Sequence, residues 1–313
     1  MLCFLFNKLK IFYFLFLYFF SKKKNVVIGI APLDFYLPIL RFFLRKHIIF
    51  YFTSWCDWSG SFFPKKKFSN SRFIKQNWSD FFKNDLKGVF CVTNTSAKSI
   101  QDNYELTCPI VVVNHSIDNS FPINKLAINN RDVSKVNLIY VGRLIKNKGI
   151  KELLTLIKNL DKGIFSIKII GDGPMRKVVE EASNTFSNIE YLGHINSKRE
   201  LFDLFCQSDV QILFSKKTNE NNWEELFGMV IIEAMYCGVA TISTNHVGPR
   251  SIINDNVNGF LIDESKCVEE ATKILKERFF KDKKFIANTQ HMAQQFYKDN
   301  LSKKWAEILD NYV

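Results

Sequence analysis

The sequence predicts an α/β protein with two parallel-sheet domains. Short β-rich apolar runs alternate with helical segments along most of the 313 residues, a pattern typical of parallel sheets covered by helices on both faces. Residues 115–135 are polar and show no strong period, and they divide the alternation into two parts. The hydrophobic content of 47% is enough for a sizeable core, which excludes a disordered chain.

The first part predicts about four strands with helical segments between them. Apolar runs rich in β-branched and aromatic residues predict strands at residues 25–31, 47–55, 88–92 and 109–113. Helical spacing is found at residues 32–46, near residues 72–84 and after residues 93–96. Within the first of these segments, Pro38 predicts a kink.

The second part repeats the alternation more regularly. Strands are predicted at residues 136–141, 165–170, 189–192, 209–214, 239–243 and 259–262, with helical segments between most of them. Residues 283–313 are helical and Lys-rich. We therefore predict a first domain over residues 1–118, a linker over 119–135, a second domain over 136–282 and C-terminal helices over 283–313 that pack back toward the first domain.

The composition disfavours several kinds of site. The seven cysteines are odd in number and scattered, without a C-x-x-C pair, which indicates buried thiols in a reducing compartment. No H-x-x-x-H or D-x-D spacing occurs, so the sequence does not support a metal site held by the protein. We also find no nucleic-acid-binding motif and expect no nucleic-acid partner.

The positive charge is concentrated in the first part of the chain. The net charge is +12, and residues 1–135 carry 19 Lys and Arg against 8 Asp and Glu. A basic face attracts anions such as phospholipid headgroups or phosphorylated substrates. A Lys-rich surface that serves only solubility is the alternative interpretation.

The apolar N-terminal segment admits three interpretations. Residues 11–20 form an uninterrupted apolar run of ten residues, which is short of the ~20 that span a bilayer. Residues 1–20 therefore predict a buried helix of the first domain, an aromatic helix in a membrane interface, or a signal anchor. A cleaved signal peptide is disfavoured because three lysines follow the apolar run and no small-residue cleavage site does.

The stretch VGRLIKNKGIKELL, residues 141–154, predicts an anion site. A strand ends at Val141, Gly142 permits a tight turn, and a helix begins near Lys148. Ligands of open α/β sheets bind outside the carboxyl ends of strands. Arg143 and Lys148 would place two cations there beside helix N–H groups, which suits a diphosphate. An ordinary turn with two solvated cations is the alternative.

The stretch IIGDGPMRKVVEEA, residues 169–182, predicts a strand-to-helix turn with a structural role. Gly171 and Gly173 resemble a G-x-G motif, and Pro174 suits the first position of a helix. The third glycine of the dinucleotide-binding motif is missing.

The stretch EELFGMVIIEAMYCG, residues 224–238, contains two carboxylates that require an explanation. Gly228 precedes a predicted helix over residues 229–237, and Gly238 fits its C′ position. The helix is apolar on nearly every face, so it should be buried, and Glu233 within it needs a partner. A spacing of eight residues corresponds to ~12 Å along a helix. It suits one elongated ligand that Glu225 and Glu233 contact at two ends.

Taken together, these stretches resemble one family. Glu225 and Glu233 look like the E-x7-E signature of retaining GT-B glycosyltransferases, family 4 (glycosyl transferases group 1). The stretches V-G-R-L-x-x-x-K-G, G-D-G-P, L-G-H-I, S-D-V-x-I-L-F-S and N-V-N-G-F-L are similar to the motifs of that family in the same order. They cover about residues 137–262, and residues 111–118 resemble the family's interdomain segment.

The resemblance implies a GT-B fold, in which two Rossmann-like domains face a cleft, and a donor site in the second domain. It implies that Arg143 and Lys148 hold the diphosphate without a metal or other cofactor. Glu233 would bind the ribose hydroxyls, and Glu225 the transferred sugar. The implied catalytic residues are Glu225, Arg143 and Lys148. The implied donor-binding residues are these three with Gly142, Ile195, Phe227, Gly228, Met229, Val230 and Glu233.

The first domain departs from the family pattern. It has no Gly-rich opening, and Thr53-Ser54-Trp55 stands where the family has a histidine. We therefore expect a shortened first domain, or a chain that lacks the usual beginning. Trp55, Asp57 and Trp58 are candidate acceptor contacts, with aromatic packing as the alternative at each.

The resemblance implies a retaining transferase that moves a sugar from a nucleotide-diphosphate sugar to a glycan or lipid-linked acceptor in cell-surface polysaccharide or glycolipid synthesis. The basic first part predicts a cytoplasmic protein, peripheral on the inner face of the membrane. Three alternatives remain open: another GT-B enzyme such as a phosphorylase or epimerase, a protein that binds a sugar nucleotide without turnover, and a subunit that depends on a second chain.

Overall fold

The computed structural model describes residues 16–59, 71–119, 123, 128, 131–217 and 224–310. The chain divides into two compact units, the first formed by Met1–Asn114 with Ile308–Val313 and the second by His115–Glu307. Residues 1–15 of the apolar N-terminal segment lie outside the described residues, and residues 16–20 are helical. Among the described residues, no helix is long and apolar enough to cross a membrane.

The first unit contains a parallel sheet whose described strands are ordered β1-β2-β3-β4. The strands are β1 (Asn25–Ile28), β2 (Ile48–Thr53), β3 (Leu86–Cys91) and β4 (Ile110–Val112). All four fall within or next to the predicted runs, so these predictions are confirmed. Neighbouring strands pair in parallel, with Phe50 opposite Val27 on one side and Gly88 on the other.

The helices of the first unit lie between its strands. They are α1 (Leu37–Leu44), α2 (Arg72–Asp80) and α3 (Asn94–Asn103), and α2 continues as a π-helical turn over Phe81–Asp85. The predicted kink at Pro38 is wrong, because this proline lies in the first turn of α1, where its missing N–H leaves no helical bond unmade. Thr93 is the N-cap residue of α3, and its side chain accepts a hydrogen bond from the Ser96 N–H.

The second unit contains a parallel sheet ordered β10-β9-β8-β5-β6-β7 among the described residues. Its strands are β5 (Val136–Val141), β6 (Phe165–Ile170), β7 (Ile189–Gly193), β8 (Val210–Leu213), β9 (Ala240–Thr244) and β10 (Phe260–Ile262). The six predicted strands are confirmed. The chain runs outward from β5 to β7 on one side and from β8 to β10 on the other, so the strand order reverses between β5 and β8. This reversal is where open α/β sheets bind their ligands.

Helices lie between these strands and after them. They are α4 (Ile150–Asn159), α5 (Arg176–Thr185), α6 (Lys198–Cys206), α7 (Met229–Tyr236), α8 (Val247–Ile252), α9 (Cys267–Glu277), α10 (Lys283–Ala293) and α11 (Lys298–Asp310). The predicted C-terminal helical segment is thus two helices, joined by a 3₁₀ turn at Gln294–Phe296. Its residues up to Glu307 belong to the second unit. That it packs back toward the first domain stays a prediction.

Arg131, which lies in the predicted linker, is bound to the second unit. Its guanidinium donates hydrogen bonds to the carbonyl oxygens of Cys206, Cys237 and Gly238, at distances of 3.1–3.2 Å. These carbonyls belong to the C-terminal ends of α6 and α7, where a cation is favourable. Arg131 therefore fixes the C-terminal end of α7 against α6.

Candidate functional site

The turn after β5 presents main-chain groups at the carboxyl edge of the sheet. Tyr140 lies beneath the turn, and its hydroxyl donates a 2.9 Å hydrogen bond to the carbonyl of Arg143. Burial and the nearby charge of Glu225 raise the pKa of Tyr140, so its hydroxyl stays protonated as a donor. The side chain of Arg143 is exposed. The turn therefore holds a solvent-facing cation on a fixed main chain.

The G-D-G turn after β6 supports this first turn. A Cβ atom on Gly171 would lie 1.8 Å from the carbonyl oxygen of Gly142, a separation that no side chain can occupy. The Leu144 N–H donates to the Asp172 carbonyl at 2.9 Å, and the Met175 N–H donates to the Leu144 carbonyl at 2.9 Å. The glycines thus let two strand-to-helix turns pack main chain against main chain, and the predicted structural role is confirmed.

Lys148 and Glu225 form a half-buried ion pair at the reversal of strand order. The Lys148 ammonium donates to Glu225 Oε2, and the two side chains are only 13% and 12% exposed. The hydroxyl of Ser215, just beyond β8, donates to the same oxygen at 2.9 Å. Lys148 follows β5 and Ser215 follows β8, so the carboxylate lies where the two halves of the sheet meet.

The main chain of Glu225 is held from the opposite side. Its carbonyl accepts a 2.8 Å hydrogen bond from the Gly248 N–H, in the first turn of α8. Its N–H donates to Nδ1 of the buried His246 at 3.4 Å. A Cβ atom on Gly248 would lie 2.3 Å from the main-chain nitrogen of Phe227. The loop that carries Glu225 therefore rests directly on the start of α8.

Helix α7 begins immediately after this loop. Gly228 is its N-cap residue with φ +90°, a left-handed conformation that glycine adopts without strain. Gly228 offers no side chain to cap this end, and the Ile231 N–H bonds to the Gly228 carbonyl at 2.9 Å. A ligand at this helix start is one way to satisfy the preceding N–H groups. Gly238 follows the helix with φ +65°, as predicted for its C′ position. Met229 is 36% exposed at the helix start, while Ile231, Ile232, Ala234, Met235 and Tyr236 are buried.

Glu233 is a half-buried carboxylate without a hydrogen bond or ion pair to any residue that the structure describes. Burial raises the pKa of Glu233, and the charge of Lys198 at the start of α6 offsets part of this rise. The predicted partner of Glu233 is therefore not a side chain in the described part of the protein. A ligand hydroxyl would supply the missing hydrogen bond.

The distance between the two carboxylates is not set by a continuous helix. Helix α7 begins at Met229, so Glu225 lies in the preceding loop, and Gly228 turns the chain between them. The estimate of ~12 Å along a helix therefore does not apply to this pair. The two carboxylates differ in their contacts: Glu225 is paired with Lys148, and Glu233 has no such pair among the described residues.

The remaining predicted donor residues occupy different surroundings. Ile195 is half-buried in the loop after β7, and Val230 is half-buried in the first turn of α7. Phe227 is buried, and its ring packs edge-on against His115 and Phe296, at centroid distances of 5.0 and 5.9 Å. Its side chain is thus a packing element, which leaves only its main chain for a ligand.

The candidate acceptor residues of the first unit are tied to one another. The indole N–H of Trp55 donates to the carbonyl of Asp57 at 2.6 Å, and Asp57 Oδ1 accepts from the Ser59 N–H at 3.0 Å. Trp58 is only 1% exposed and packs among Tyr51, Trp78 and Phe82. For Trp58 aromatic packing is confirmed. An acceptor role for Trp55 and Asp57 stays a prediction.

Sequence reasoning missed three residues of the site: Tyr140, Ser215 and His246. Tyr140 and Ser215 lie within or next to strand motifs. The apolar pattern of β5 does not distinguish a tyrosine whose hydroxyl donates a hydrogen bond from an aromatic residue that only fills the core. His246 follows β9 at the same carboxyl edge as Lys148. Its position after a predicted strand is the sequence feature that could have identified it as a site residue. Among the described residues, no cluster of three His, Cys, Asp or Glu side chains could hold a metal ion.

The two parallel-sheet α/β units define the class as GT-B proteins. The family model for glycosyl transferases group 1 matches residues 124–292, more than half of the chain. The chain therefore belongs to the glycosyl transferases group 1 family.

Similar proteins support this assignment. An uncharacterized 41.2 kDa protein in the cps region of Klebsiella pneumoniae is 30% identical over 196 residues, which are 61% of this chain and 50% of that protein. The GalNAc-alpha-(1->4)-GalNAc-alpha-(1->3)-diNAcBac-PP-undecaprenol alpha-1,4-N-acetyl-D-galactosaminyltransferase of Campylobacter jejuni is 26% identical over 184 residues, which are 56% of this chain and 48% of that enzyme. The chain spans about half the length of these two curated relatives.

The fold is similar to that of solved structures. The crystal structure of Anabaena Alr3699/HepE in complex with UDP matches with a TM-score of 0.68 at 18% sequence identity, over 91% of this chain and 78% of that one. At this identity the similarity shows the fold and not the substrate.

Proposed function

We propose that the protein is a retaining glycosyltransferase of family 4. It transfers a sugar from a nucleotide-diphosphate sugar to a glycan or lipid-linked acceptor in cell-surface polysaccharide or glycolipid synthesis. The observation that carries the proposal is the half-buried Lys148–Glu225 pair, which lies where the strand order reverses and beside the start of α7. Such a site matches a ligand that has both a charged and a hydroxyl-rich part.

The proposed donor lies along the carboxyl edge of β5, β7 and β8. Arg143 and Lys148 hold its diphosphate, together with N–H groups of the first turn of α7. Glu233 accepts hydrogen bonds from the ribose hydroxyls, which satisfies its otherwise unpaired carboxylate. The main chain near Ile195 contacts the base. Glu225 contacts the transferred sugar. When the donor is bound, Lys148 therefore interacts both with Glu225 and with the diphosphate.

The proposed chemistry needs no protein nucleophile. As the bond from the sugar to the diphosphate breaks, negative charge develops on the leaving phosphate oxygen, and the cations and helix N–H groups stabilise it. The acceptor hydroxyl attacks from the same face, and its proton passes to that phosphate oxygen. This arrangement retains the anomeric configuration. We propose that Arg143, Lys148 and the helix N–H groups take the place that a metal has in D-x-D transferases.

The proposed place of work is the cytoplasmic face of a membrane. The first unit exposes an aromatic patch of Phe16, Phe20 and Phe42, with side-chain exposures of 56%, 69% and 54%. Arg45 lies over the Phe42 ring at 5.2 Å, and Lys22–Lys24 are exposed nearby. Aromatic rings flanked by lysines and arginines bind anionic membrane interfaces. The undecaprenol-linked substrate named for the Campylobacter jejuni relative is consistent with this location.

Membrane binding is testable by co-sedimentation with vesicles. We expect binding to vesicles that contain anionic lipid, weaker binding to neutral vesicles, and loss of binding in Phe20→Ser/Phe42→Ser. Replacement of Phe279, which is 63% exposed in the second unit, is the matched control. Equal binding by the patch variant and wild type contradicts this part of the proposal.

A second candidate is a sugar-nucleotide-binding protein or partner subunit without independent transferase activity. The first unit favours it, because its described sheet has four strands against six in the second unit. Incubation with UDP-, GDP- and ADP-sugars, with and without a lipid extract, separates the two. Nucleotide release that depends on the extract supports the transferase. Donor binding without release under any condition supports the binding protein instead.

A further inference from the structure

We propose that His246 is a positioning residue that fixes the main chain of Glu225 for donor binding and transfer. The inference rests on the proposed function, because it concerns the carboxylate assigned to the transferred sugar. His246 is 4% exposed and follows β9 as the N-cap residue of α8. Its Nδ1 accepts the hydrogen bond from the Glu225 N–H at 3.4 Å. Because its side chain caps no N–H of α8, it serves the neighbouring loop instead.

The two ends of Glu225 are fixed by different elements. The carboxylate is held by Lys148 after β5 and by Ser215 after β8. The peptide is held by His246 and by the Gly248 N–H, both at the start of α8. A shift of the peptide would therefore move the carboxylate away from Lys148, and misplacement of about 1 Å at a reacting centre lowers rates severely.

The contact requires one particular form of the imidazole. Nδ1 can accept a hydrogen bond only when it carries no proton, which places the ring proton on Nε2. Nε2 lies 3.2 Å from Glu264 Oε2, which also accepts the Lys217 N–H at 2.9 Å. Glu264 thus favours the tautomer that leaves Nδ1 free to hold Glu225.

A second carboxylate lies beside the same nitrogen. Glu224 Oε2 lies 3.7 Å from Nδ1 of His246 and accepts from the Val247 N–H at 3.2 Å. Glu224 is thus held by the start of α8, while Nδ1 accepts from the Glu225 N–H.

Two substitutions of His246 distinguish the role of Nδ1 from that of Nε2. In His246→Asn, the side-chain oxygen can take the place of Nδ1 and accept from Glu225. In His246→Gln, the amide reaches the position of Nε2 and Glu264 instead. We expect Asn to keep nucleotide-release kcat within about threefold of wild type and Gln to lower it about tenfold. Affinity for the free nucleoside diphosphate should stay within about twofold in both.

The comparison of turnover with affinity distinguishes positioning from simple packing. A positioning role predicts that His246→Gln lowers kcat while the affinity for the nucleoside diphosphate is kept, and that His246→Asn restores kcat. Equal losses of kcat in Asn and Gln that follow their melting temperatures would overturn the proposal.

A nitrogen NMR measurement tests the contact without turnover. In ¹⁵N-labelled protein at pH 8, the signal that disappears in His246→Asn should report the tautomer protonated at Nε2. A proton on Nδ1 at that pH overturns the proposal. If wild type turns over none of UDP-glucose, GDP-mannose and ADP-glucose but shows the expected tautomer, the proposed function fails and the contact to Glu225 stands.

Discussion

The carboxyl edges of the two sheets gather different kinds of residues. In the second unit, Lys148, Ser215 and Glu225 meet after β5 and β8, and Glu233 is left without a partner among the described residues. In the first unit, Trp55 and Trp58 follow β2, and their polar atoms bond to neighbouring main-chain or hydroxyl groups. Charged side chains that meet at the carboxyl edge of a sheet indicate a ligand site. Aromatic side chains whose polar atoms are already hydrogen-bonded are explained by packing. The difference shows why the proposed donor site lies in the second unit.

The largest expected effect is on Glu225. Glu225→Gln keeps the shape of the side chain but loses the charge that pairs with Lys148 and that we propose contacts the sugar. We expect nucleotide-release kcat to fall about 10²–10³-fold, a loss typical of one interaction that stabilises a transition state, with nucleoside-diphosphate affinity nearly unchanged. Steady-state kinetics measure both. Glu181→Gln, an exposed glutamate of α5, is the control, and a similar kcat for the two variants would contradict the assignment.

The second effect is on stability and concerns the turn that supports Arg143. In Gly171→Ala, the added Cβ meets the Gly142 carbonyl, so we expect a loss of about 2–4 kcal/mol of folding free energy. Gly193 is the matched control, because it also has positive φ (+69°) but nothing lies within 4 Å of its Cβ position. Gly193→Ala should lose only the cost of the left-handed conformation, about 1–2 kcal/mol. Equal losses in urea denaturation would show that close approach contributes nothing.

A smaller effect concerns the free energy of unfolding and Glu233. Burial raises the pKa of Glu233, so between the ordinary glutamate pKa and this raised pKa the folded protein binds a proton more tightly than the unfolded chain. Stability therefore falls as pH rises through that window. Glu233→Gln removes the loss, and we expect its melting temperature at pH 8 to exceed that of wild type by about 1–3 °C. The gain should vanish below pH 4, and a variant less stable at pH 8 would contradict the account.

The smallest expected effect lies in the first unit. Trp55→Phe keeps an aromatic ring but loses the indole and its N–H, which bonds to the Asp57 carbonyl. If Trp55 contacts the acceptor, the acceptor KM should rise about three- to tenfold while nucleoside-diphosphate affinity is unchanged. A fall in melting temperature with an unchanged acceptor KM would make Trp55 a packing residue like Trp58, and would sharpen the contrast between the two units.

Much of the fold could be predicted from the sequence because strand signals are local. Apolar β-branched runs such as residues 136–141 and 165–170 coincide with β5 and β6, and alternation with helices fixes parallel pairing. The kink predicted at Pro38 is wrong because a proline is compatible both with a kink inside a helix and with the first turn of a helix. Only the position at which the helix begins distinguishes the two, and the sequence does not fix that position.

The candidate site is predictable from the sequence where a residue type is unfavourable in its local surroundings. A glutamate in an apolar helix needs a partner, so the sequence alone identifies Glu233 as a candidate site residue. The Lys148–Glu225 pair and the contact of His246 join residues that are 77 and 21 positions apart. No local pattern contains such pairs, because the order of strands in the sheet creates them.

We propose that the carboxyl edge of the second unit binds a nucleoside diphosphate through Lys148 and Glu233. Isothermal titration of wild type with UDP, GDP and ADP tests it directly, with Lys148→Ala and Glu233→Ala as site variants. Lys151→Ala is the control, because this lysine is exposed on α4. The account predicts that wild type and the control bind one of the three nucleotides, and that each site variant binds it at least about tenfold more weakly. Absence of binding by wild type, or equal affinity in all four proteins, would contradict it.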